Sequence, residues 1–276
     1  MAARKSARKP TWILKLGGEL LEDHADLELV AAAIAGLAKR ARVVVVHGGG
    51  KEIDAALAQH GIAKVQIDGL RVTDTPTLGV VTSVLGGTLN TRLVTAARKA
   101  KVAAVGLTGA DAGVAVMKPA PPFVATTGAT VSLGLVGIPA KKTDPVLLRT
   151  LLSAGFVPVI ACLGATAQAD VLNVNADVLA AHLAVTTGAD ALVISGGTSG
   201  VFDDTGQTIH ALTGRAAKAM IASGTANAGM IAKLNACRDA LKGGVRKVYI
   251  VNGRTGLKGL DPRKGVKAGT GTEVTA

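Results

Sequence analysis

The stretch VVVVHGGGKEID, residues 43 to 54, joins four consecutive valines to three consecutive glycines and then to a helical pattern. A short apolar run of β-branched residues is typical of a buried strand. The glycines expose backbone amides where that strand turns into the helix, which favours either a tight turn or the binding of an anion. The stretch therefore predicts one βα unit with an open, glycine-rich turn beyond its strand.

Similar units are found along the rest of the chain. Apolar runs predict strands at 11–16, 42–46, 102–108, 157–162, 191–195 and 247–252. Amphipathic patterns predict helices at 26–40, 50–60, 75–100, 144–154, 176–187, 213–223 and 229–243. The Pro/Thr-rich stretch 118–132 predicts a surface hairpin or loop. The alternation of strands and helices predicts an α/β protein, a three-layer αβα sandwich around a central, mainly parallel sheet.

The composition agrees with this fold class. Of the 276 residues, 49% are hydrophobic but only 2% are aromatic, so we expect a core of Val, Leu, Ile and Ala. The two cysteines, Cys162 and Cys237, are far apart and form no CxxC motif, which predicts buried thiols in a reducing compartment. No apolar run approaches the roughly 20 residues of a membrane span, and no secretory signal is evident. We therefore expect a cytoplasmic protein with no membrane partner.

The net charge of +12 allows two interpretations. Basic residues form a tail from Arg4 to Lys9 and a second cluster from Arg238 to Lys267. Such charge indicates either a nucleic-acid partner or a solvated surface that attracts anionic small substrates. Aromatic side chains that could stack on bases are scarce. We therefore expect small-molecule substrates and no nucleic acid.

Several predicted strands end in glycine-rich turns. In parallel sheets, ligands bind beyond the carboxyl ends of the strands. KLGG (15–18), HGGG (47–50) and SGGTSG (195–200) occupy such positions, and together they indicate an extended, phosphate-bearing ligand. The P-loop pattern fails because Glu52 follows Lys51, and the spacing of a dinucleotide-binding fingerprint is absent as well. Nicotinamide chemistry is therefore disfavoured.

Two lysines and a cluster of three polar residues stand out as candidate site residues. Lys15 ends an apolar strand, so it either meets an anion or reaches solvent. Asn173, Asn175 and Asp177 cluster in NVNAD, where capping of a helix by Asn175 explains only one of the three. Lys233 lies one turn into a helix, where a solvated lysine is equally reasonable.

Arg71, in GLRVTD, is a further candidate. Its planar guanidinium suits the bidentate capture of a carboxylate, and the alternative is a surface salt bridge with Asp68 or Asp74. The histidines show neither an HExxH motif nor paired spacing, so we expect no protein-built metal site. His47 is expected to hold the glycine turn through hydrogen bonds.

The ordered motifs KLGG, HGGGKEID, GLRVTD, NVNAD and GMIAKLNA resemble the amino acid kinase superfamily, and most closely its branch that acts on N-acetylated glutamate. The resemblance runs from about Trp12 to Thr272. It implies ATP-dependent phosphorylation of the side-chain carboxylate of N-acetyl-L-glutamate, a step of arginine biosynthesis, with Mg²⁺ carried mainly by the nucleotide phosphates. It also implies a homodimer, which we expect to lack inhibition by arginine. An N-terminal lobe, 1–170, would bind the acyl amino acid and dimerise, and a C-terminal lobe, 171–276, would bind ATP.

The resemblance also assigns roles to individual residues. It assigns catalysis to Lys15, Lys233 and Asp177, with the aspartate orienting the two lysines that stabilise the transferring phosphoryl group. It assigns binding of the acyl amino acid to Gly49, Gly50, Arg71, Asn173 and Asn175. It assigns ATP binding to Gly17, Gly18, Ser195, Gly196, Gly197, Ser199, Gly200, Asn227, Gly229 and Met230. A glutamate-like acceptor, with a reference pKa around 4.3, is already ionised near neutral pH and needs no general base.

Two other functions remain open on the sequence. One is a kinase for an aminoadipate derivative, with an acidic carrier protein as a partner that would suit the positive charge. Against it, GLRVTD lacks the second arginine of that branch's motif. The other is a catalytically silent, ligand-binding homologue, because SGGTSG has glycine where the family usually places an aspartate. Against it, Lys15, Lys233 and Asp177 are all retained.

Overall fold

The computed structural model describes residues 8–140, 143–226, 228–262, 264–266 and 269–276. Its strands are β1 (Thr11–Leu16), β2 (Arg42–His47), β3 (Gln66–Ile67), β4 (Leu70–Arg71), β5 (Ala104–Thr108), β6 (Met117–Pro119), β7 (Phe123–Val124), β8 (Thr130–Val131), β9 (Val136–Pro139), β10 (Val157–Ala161), β11 (Leu163–Ala165), β12 (Val171–Val174), β13 (Ala191–Gly196), β14 (Val201–Phe202), β15 (Thr208–Ile209), β16 (Ala211–Thr213), β17 (Lys247–Asn252) and β18 (Gly271–Thr275). Its α-helices are α1 (His24–Ala38), α2 (Gly50–Gln59), α3 (Thr75–Thr82), α4 (Asn90–Lys99), α5 (Val146–Ser153), α6 (Ala176–Thr186), α7 (Gly214–Ala222) and α8 (Ala228–Lys242). Short 3₁₀ turns occupy Gly18–Leu20, Asp111–Gly113 and Leu257–Gly259.

Eight of the described strands form one central sheet in the order β16–β18–β17–β13–β1–β2–β10–β5. Each neighbouring pair is parallel except β17 and β18, which run antiparallel. β1, β10 and β13 are buried along their whole length, which explains why their sequences are unbroken apolar runs. The predicted mainly parallel sheet is confirmed.

The helices flank this sheet in two groups. α6 and α8 pack against each other and contact β13, while α6 also contacts β1 and α8 contacts β17. α1 and α4 likewise pack against each other, α1 over β2 and α4 over β5 and β10. The fold is the three-layer αβα sandwich that the sequence predicts, with its core made of aliphatic side chains.

Two predicted boundaries shift for local reasons. α1 begins at His24, two residues earlier than predicted, because the carboxylate of Asp23 caps the helix. β5 begins at Ala104, two residues later than predicted, because Lys101 adopts a left-handed φ of 65° in the turn that follows α4. The predicted hairpin or loop in the Pro/Thr-rich stretch is confirmed, since β7 and β8 pair antiparallel there.

The helix predicted at 75–100 consists of three consecutive segments. α3 continues into a π-helical segment, Ser83–Leu89, which continues into α4. A π-helical turn is wider than an α-helical one and changes the direction of the side chains that follow. Gly86 lies in this segment, and a Cβ on it would lie 3.5 Å from the Thr108 side chain, so a small residue suits the close packing.

Both halves of the chain contribute to the central sheet. β1 pairs on one side with β2 and on the other with β13, which belongs to the second half. Residue 170 lies in the connection between β11 and β12, two strands that pair antiparallel in a smaller four-stranded sheet. The division into two lobes at residue 170 stays a prediction.

Candidate active site

The carboxyl ends of β13, β1 and β2 lie side by side. Leu16, the last residue of β1, is in register with Ser195 of β13 and with His47 of β2. The glycine turns that follow these strands therefore form one continuous rim. The turn after β1 and the turn after β2 are in close contact, because a Cβ built on Gly18 would lie 2.9 Å from the Cα of Gly49.

A buried carboxylate lies between two lysines next to this rim. Nζ of Lys15 lies 2.9 Å from Oδ1 of Asp177, and Nζ of Lys233 lies 3.6 Å from Oδ2 of the same carboxylate. Burial by itself raises the pKa of Asp177, but the two lysines outweigh that effect and hold this pKa below its ordinary value. The three residues come from β1, α6 and α8, and they concentrate positive charge around one ionised carboxylate.

The fold places Asp177 through the start of α6. The side-chain oxygen of Asn175 accepts hydrogen bonds from the amides of Asp177, at 2.9 Å, and Val178, at 3.2 Å. The predicted helix cap is thereby confirmed, and it fixes Asp177 in the first helical turn. Because β12 leads directly into this cap, Asn173 at the end of that strand lies close to the same corner.

A cavity of about 230 Å³ opens between the HGGG turn and this corner. Its polar lining includes Arg71, Asn173 and Asn175, and its apolar lining includes Leu85, Leu133 and Val136. The structure therefore brings together the residues to which the sequence assigned the acyl amino acid, although their contacts with that substrate stay a prediction.

Gly49 and Gly50, which both line this cavity, differ in the space around them. A Cβ on Gly49 would lie 2.0 Å from Cδ1 of Leu89, so a side chain at this position would collide with the core. A Cβ on Gly50 would have no atom within 4 Å. Packing thus requires glycine at position 49, whereas the space beside Gly50 is open.

Arg71 lines the cavity and has one unpaired nitrogen. Its Nη2 contacts the carboxylate of Asp54 and donates to the carbonyl of Gly50 at 3.3 Å. Its Nη1 is buried and makes no hydrogen bond with any described residue. A buried polar group without a partner costs free energy, so this nitrogen favours the binding of an anionic group. The side-chain amide of Asn173 already has one hydrogen-bond partner, since its Nδ2 donates to Oγ1 of Thr73 at 3.1 Å.

The two salt-bridge partners that the sequence offered for Arg71 are wrong. Asp68 accepts hydrogen bonds from the backbone and the hydroxyl of Thr126. Asp74 caps α3 by accepting from the amide of Thr77 at 2.9 Å. Both carboxylates are therefore occupied by turns and caps.

The hydroxyl and the carbonyl of Ser195 are both hydrogen-bonded within the sheet. It is fully buried, and its hydroxyl donates to the carbonyl of Lys15 at 2.9 Å. Its own carbonyl accepts from the amide of Gly17 at 3.0 Å. These contacts tie the exit of β1 to the exit of β13 and so place Lys15, while the prediction that Ser195 contacts ATP stays untested.

Further residues assigned to ATP lie in the turn after β13 and at the start of α8. Gly200 has a φ of 112°, and a Cβ there would lie 2.5 Å from Oγ1 of Thr272, so the turn itself requires glycine. Ser199, directly before it, is half-buried. Gly229 and Met230 lie in the first turn of α8, one turn before Lys233. Asn227 lies outside the described residues.

The structure adds a carboxylate to this rim that the sequence analysis missed. Oε1 of Glu19 accepts a hydrogen bond from the amide of Gly197 at 2.8 Å. A Cβ on Gly17 would lie 2.4 Å from its Oε2, and one on Gly196 would lie 3.0 Å from its Oε1. A charged residue directly after KLGG was the available signal for Glu19.

His47 and the two cysteines have structural roles. Nδ1 of His47 lies 3.1 Å from the carbonyl of Gly48, and the side-chain nitrogen Nδ2 of Asn90 lies 3.1 Å from Nε2 of the same ring. Burial lowers the pKa of His47 to about 4, so the ring is neutral and holds the glycine turn as predicted. Burial raises the pKa of Cys162 to about 12 and that of Cys237 higher still. Both thiols are buried, as predicted, and are poor nucleophiles.

The described part of the chain has neither a metal-binding cluster nor a membrane-spanning helix. There, no group of three or more His, Cys, Asp or Glu side chains is arranged to hold a metal ion. None of the described helices combines the length and the apolar composition that crossing a membrane requires.

Comparison with known proteins identifies the family. The model of the amino acid kinase family matches residues 10–252. The chain belongs to the amino acid kinase family. Two curated relatives are the acetylglutamate kinases of Pectobacterium carotovorum subsp. carotovorum (strain PC1), at 40% identity, and Serratia proteamaculans (strain 568), at 38%. Each match extends over 244 residues and covers 88% of this chain and 91% of the relative.

Solved structures agree with this amino acid kinase assignment. The N-acetylglutamate synthase of Neisseria gonorrhoeae, complexed with coenzyme A and N-acetyl-glutamate, matches 98% of this chain with a TM-score of 0.81 at 26% identity. This chain spans 60% of the length of that synthase. The carbamate kinase of Giardia lamblia bound to AMP-PNP matches 98% of this chain and 99% of its own length, with a TM-score of 0.72 at 14% identity. The second similarity supports the fold alone.

Proposed function

We propose that this protein is an acetylglutamate kinase, which transfers the γ-phosphoryl group of ATP to the side-chain carboxylate of N-acetyl-L-glutamate in arginine biosynthesis. The observation that carries the proposal is the arrangement of Lys15, Asp177 and Lys233 beside a cavity lined by Arg71, whose buried Nη1 is unpaired. Curated relatives with that name, at up to 40% identity over most of both chains, support the choice of substrate.

In the proposed reaction the acceptor lies in the cavity. The guanidinium of Arg71 pairs with one carboxylate of the substrate, and Asn173 and the amide of Gly50 contact the rest of it. The free side-chain carboxylate is ionised at neutral pH and attacks the γ-phosphorus directly. A new P–O bond forms as the bond to the bridging oxygen of ADP breaks, and the electron pair leaves with ADP.

The two lysines supply the charge that this transfer needs. Phosphoryl transfer requires positioning and positive charge on the equatorial oxygens more than it requires acid–base chemistry. Lys15 and Lys233 provide that charge from two sides, and Asp177 keeps both ammonium groups in place. Because Asp177 is ionised and held between them, it acts as a positioning residue and not as a proton acceptor.

The nucleotide fits the glycine rim beyond β1 and β13. Gly17, Gly18, Gly196 and Gly197 present backbone without side chains there, which suits close approach of phosphate oxygens. The proposed Mg²⁺ ion is carried mainly by the nucleotide phosphates. When bound, this ion neutralises part of the phosphate charge.

The setting of the enzyme is part of the same proposal. We place it in the cytoplasm as a homodimer, with residues 1–170 supplying most of the acceptor site and residues 171–276 most of the ATP site. The two buried free thiols fit a reducing compartment. Light scattering coupled to size-exclusion chromatography measures the oligomeric state directly.

An assay of acyl phosphate formation tests the activity. Purified protein is incubated with ATP, Mg²⁺ and N-acetyl-L-glutamate, and hydroxylamine traps the acyl phosphate as a coloured hydroxamate. Parallel reactions contain N-acetyl-L-aminoadipate or unacetylated glutamate. We expect signal with N-acetyl-L-glutamate, and preference for the aminoadipate derivative would reassign the substrate. Absence of signal with all three would refute the kinase and favour a silent ligand-binding homologue.

A pair of glycine variants tests the acceptor cavity. Gly50→Ala leaves folding intact because its Cβ meets no atom within 4 Å, and it adds a methyl group to a residue that lines the cavity. We expect KM for N-acetyl-L-glutamate to rise about tenfold, since crowding a packed contact by one methyl group costs about 1–3 kcal/mol. Gly49→Ala is the matched variant, and its collision with Leu89 lowers the free energy of unfolding by a similar amount. An unchanged KM in Gly50→Ala would place the acceptor elsewhere.

A further inference from the structure

Glu19 places a negative charge in the rim assigned to the nucleotide phosphates. Its carboxylate accepts the amide of Gly197 at the exit of β13 and lies against Gly17 at the exit of β1. An anion held by a backbone amide at two glycine-rich strand ends occupies the position that suits a phosphate oxygen. Glu19 is half-buried in this position.

The backbone of Glu19 is fixed on both sides. It lies in the 3₁₀ turn Gly18–Leu20, and Leu20 is fully buried against Gly253, where a Cβ would lie 2.1 Å from Cδ1 of Leu20. The carbonyl of Glu19 accepts from Nη2 of Arg254 at 3.5 Å. Only rotation of the side chain can therefore remove the carboxylate from the rim.

The side chain of Lys233, whose positive charge would attract a phosphate, lies close to the same position. A Cβ on Gly196 would lie 3.0 Å from Oε1 of Glu19 and 3.6 Å from Cε of Lys233. The carboxylate thus shares its surroundings with a lysine that is assigned to the transferring phosphoryl group. A phosphate that enters this position finds the Gly197 amide already bonded to Glu19 and is repelled by the negative charge of that carboxylate. Both effects oppose its binding.

We propose that Glu19 is an internal competitor for the nucleotide phosphates, bound to the Gly197 amide in the empty enzyme and displaced when nucleotide binds. The inference rests on the proposed function for the identity of the ligand. The negative charge of Glu19 then lowers nucleotide affinity, because part of the binding free energy is used to break its hydrogen bond and to move the carboxylate away.

Isothermal titration calorimetry of ADP tests this inference with the full-length protein. Glu19→Gln keeps the size of the side chain and an acceptor oxygen but removes the charge. We expect its Kd for ADP, measured in EDTA, to be about tenfold lower than that of the wild type, as expected for removal of a like charge beside the phosphates. Glu22→Gln is the matched control, because Glu22 lies three residues away in an exposed ion pair with Lys51. We expect its Kd to change less than twofold.

A second titration with Mg²⁺ separates competition from metal binding. If Glu19 competes, Glu19→Gln also tightens binding of MgADP. An unchanged Kd, or weaker binding of MgADP in Glu19→Gln, would overturn the inference, the latter because the carboxylate would then hold the ion. Absence of ADP binding to wild type and variant alike would refute the nucleotide site and the inference with it. Tighter ADP binding without acyl phosphate formation would refute the proposed acceptor and leave the inference standing.

Discussion

Replacing Lys233 by alanine is expected to lower kcat by on the order of 10²-fold or more, with little change in KM for either substrate. The reason is that the ammonium group of Lys233 is assigned to the equatorial oxygens, whose charge is best stabilised in the transition state. Its side chain is more exposed than that of Lys15, at 18% against 7%, so the folded protein tolerates its removal. Steady-state kinetics of acyl phosphate formation measure the effect.

Lys242→Ala is the matched control for this prediction. Lys242 lies on the same helix, α8, and is exposed near its end. The control is expected to keep the kcat of the wild type, and both variants are expected to melt at nearly the same temperature. A comparable loss of kcat in both would assign the effect to α8 as a whole, and a rise in KM alone would make Lys233 a binding residue.

Replacing Asp177 by alanine is expected to affect both stability and activity. The change leaves the buried Lys15 without its partner at 2.9 Å. Removing one partner of a buried ion pair typically costs about 3–5 kcal/mol of unfolding free energy. Denaturant unfolding measures this loss, and we expect kcat to fall with it because both lysines lose the group that holds them.

A double variant separates the two effects of Asp177. Lys15→Met combined with Asp177→Leu removes both charges and leaves apolar side chains of similar size. Because an apolar pair often replaces a buried ion pair without loss, the double variant is expected to regain most of the lost stability. It is not expected to regain activity. Recovery of activity would show that neither charge takes part in the transfer, and would contradict the proposed mechanism.

The sequence predicts the sheet well because its signal is local. Runs of apolar residues in β1, β2 and β13 identify buried strands, and glycine after each of them identifies the exits where ligands collect. Which exits are neighbours depends on strand order, and a single sequence does not contain that order. The side-by-side position of Leu16, His47 and Ser195 is therefore a result of the structure.

The site residues divide in the same way. That Asp177 meets both Lys15 and Lys233 followed only from the family resemblance, since these residues are far apart along the chain. Asp54 as the partner of Arg71 was missed because it depends on which face of α2 turns towards β4. Glu19 was missed because a 3₁₀ turn directs its side chain back over Gly17, and residue spacing does not predict that direction.

The contact between Gly18 and Gly49 has a consequence for how precisely the two substrates are placed. These glycines follow neighbouring parallel strands, and their backbones meet without a side chain between them. The spacing of such strands is set by backbone hydrogen bonds at about 4.8 Å. If donor and acceptor rest on these two turns, the distance between them is set by the hydrogen-bond ladder between β1 and β2. The pairing of two strands in the centre of the sheet would then determine how far apart the reacting groups lie.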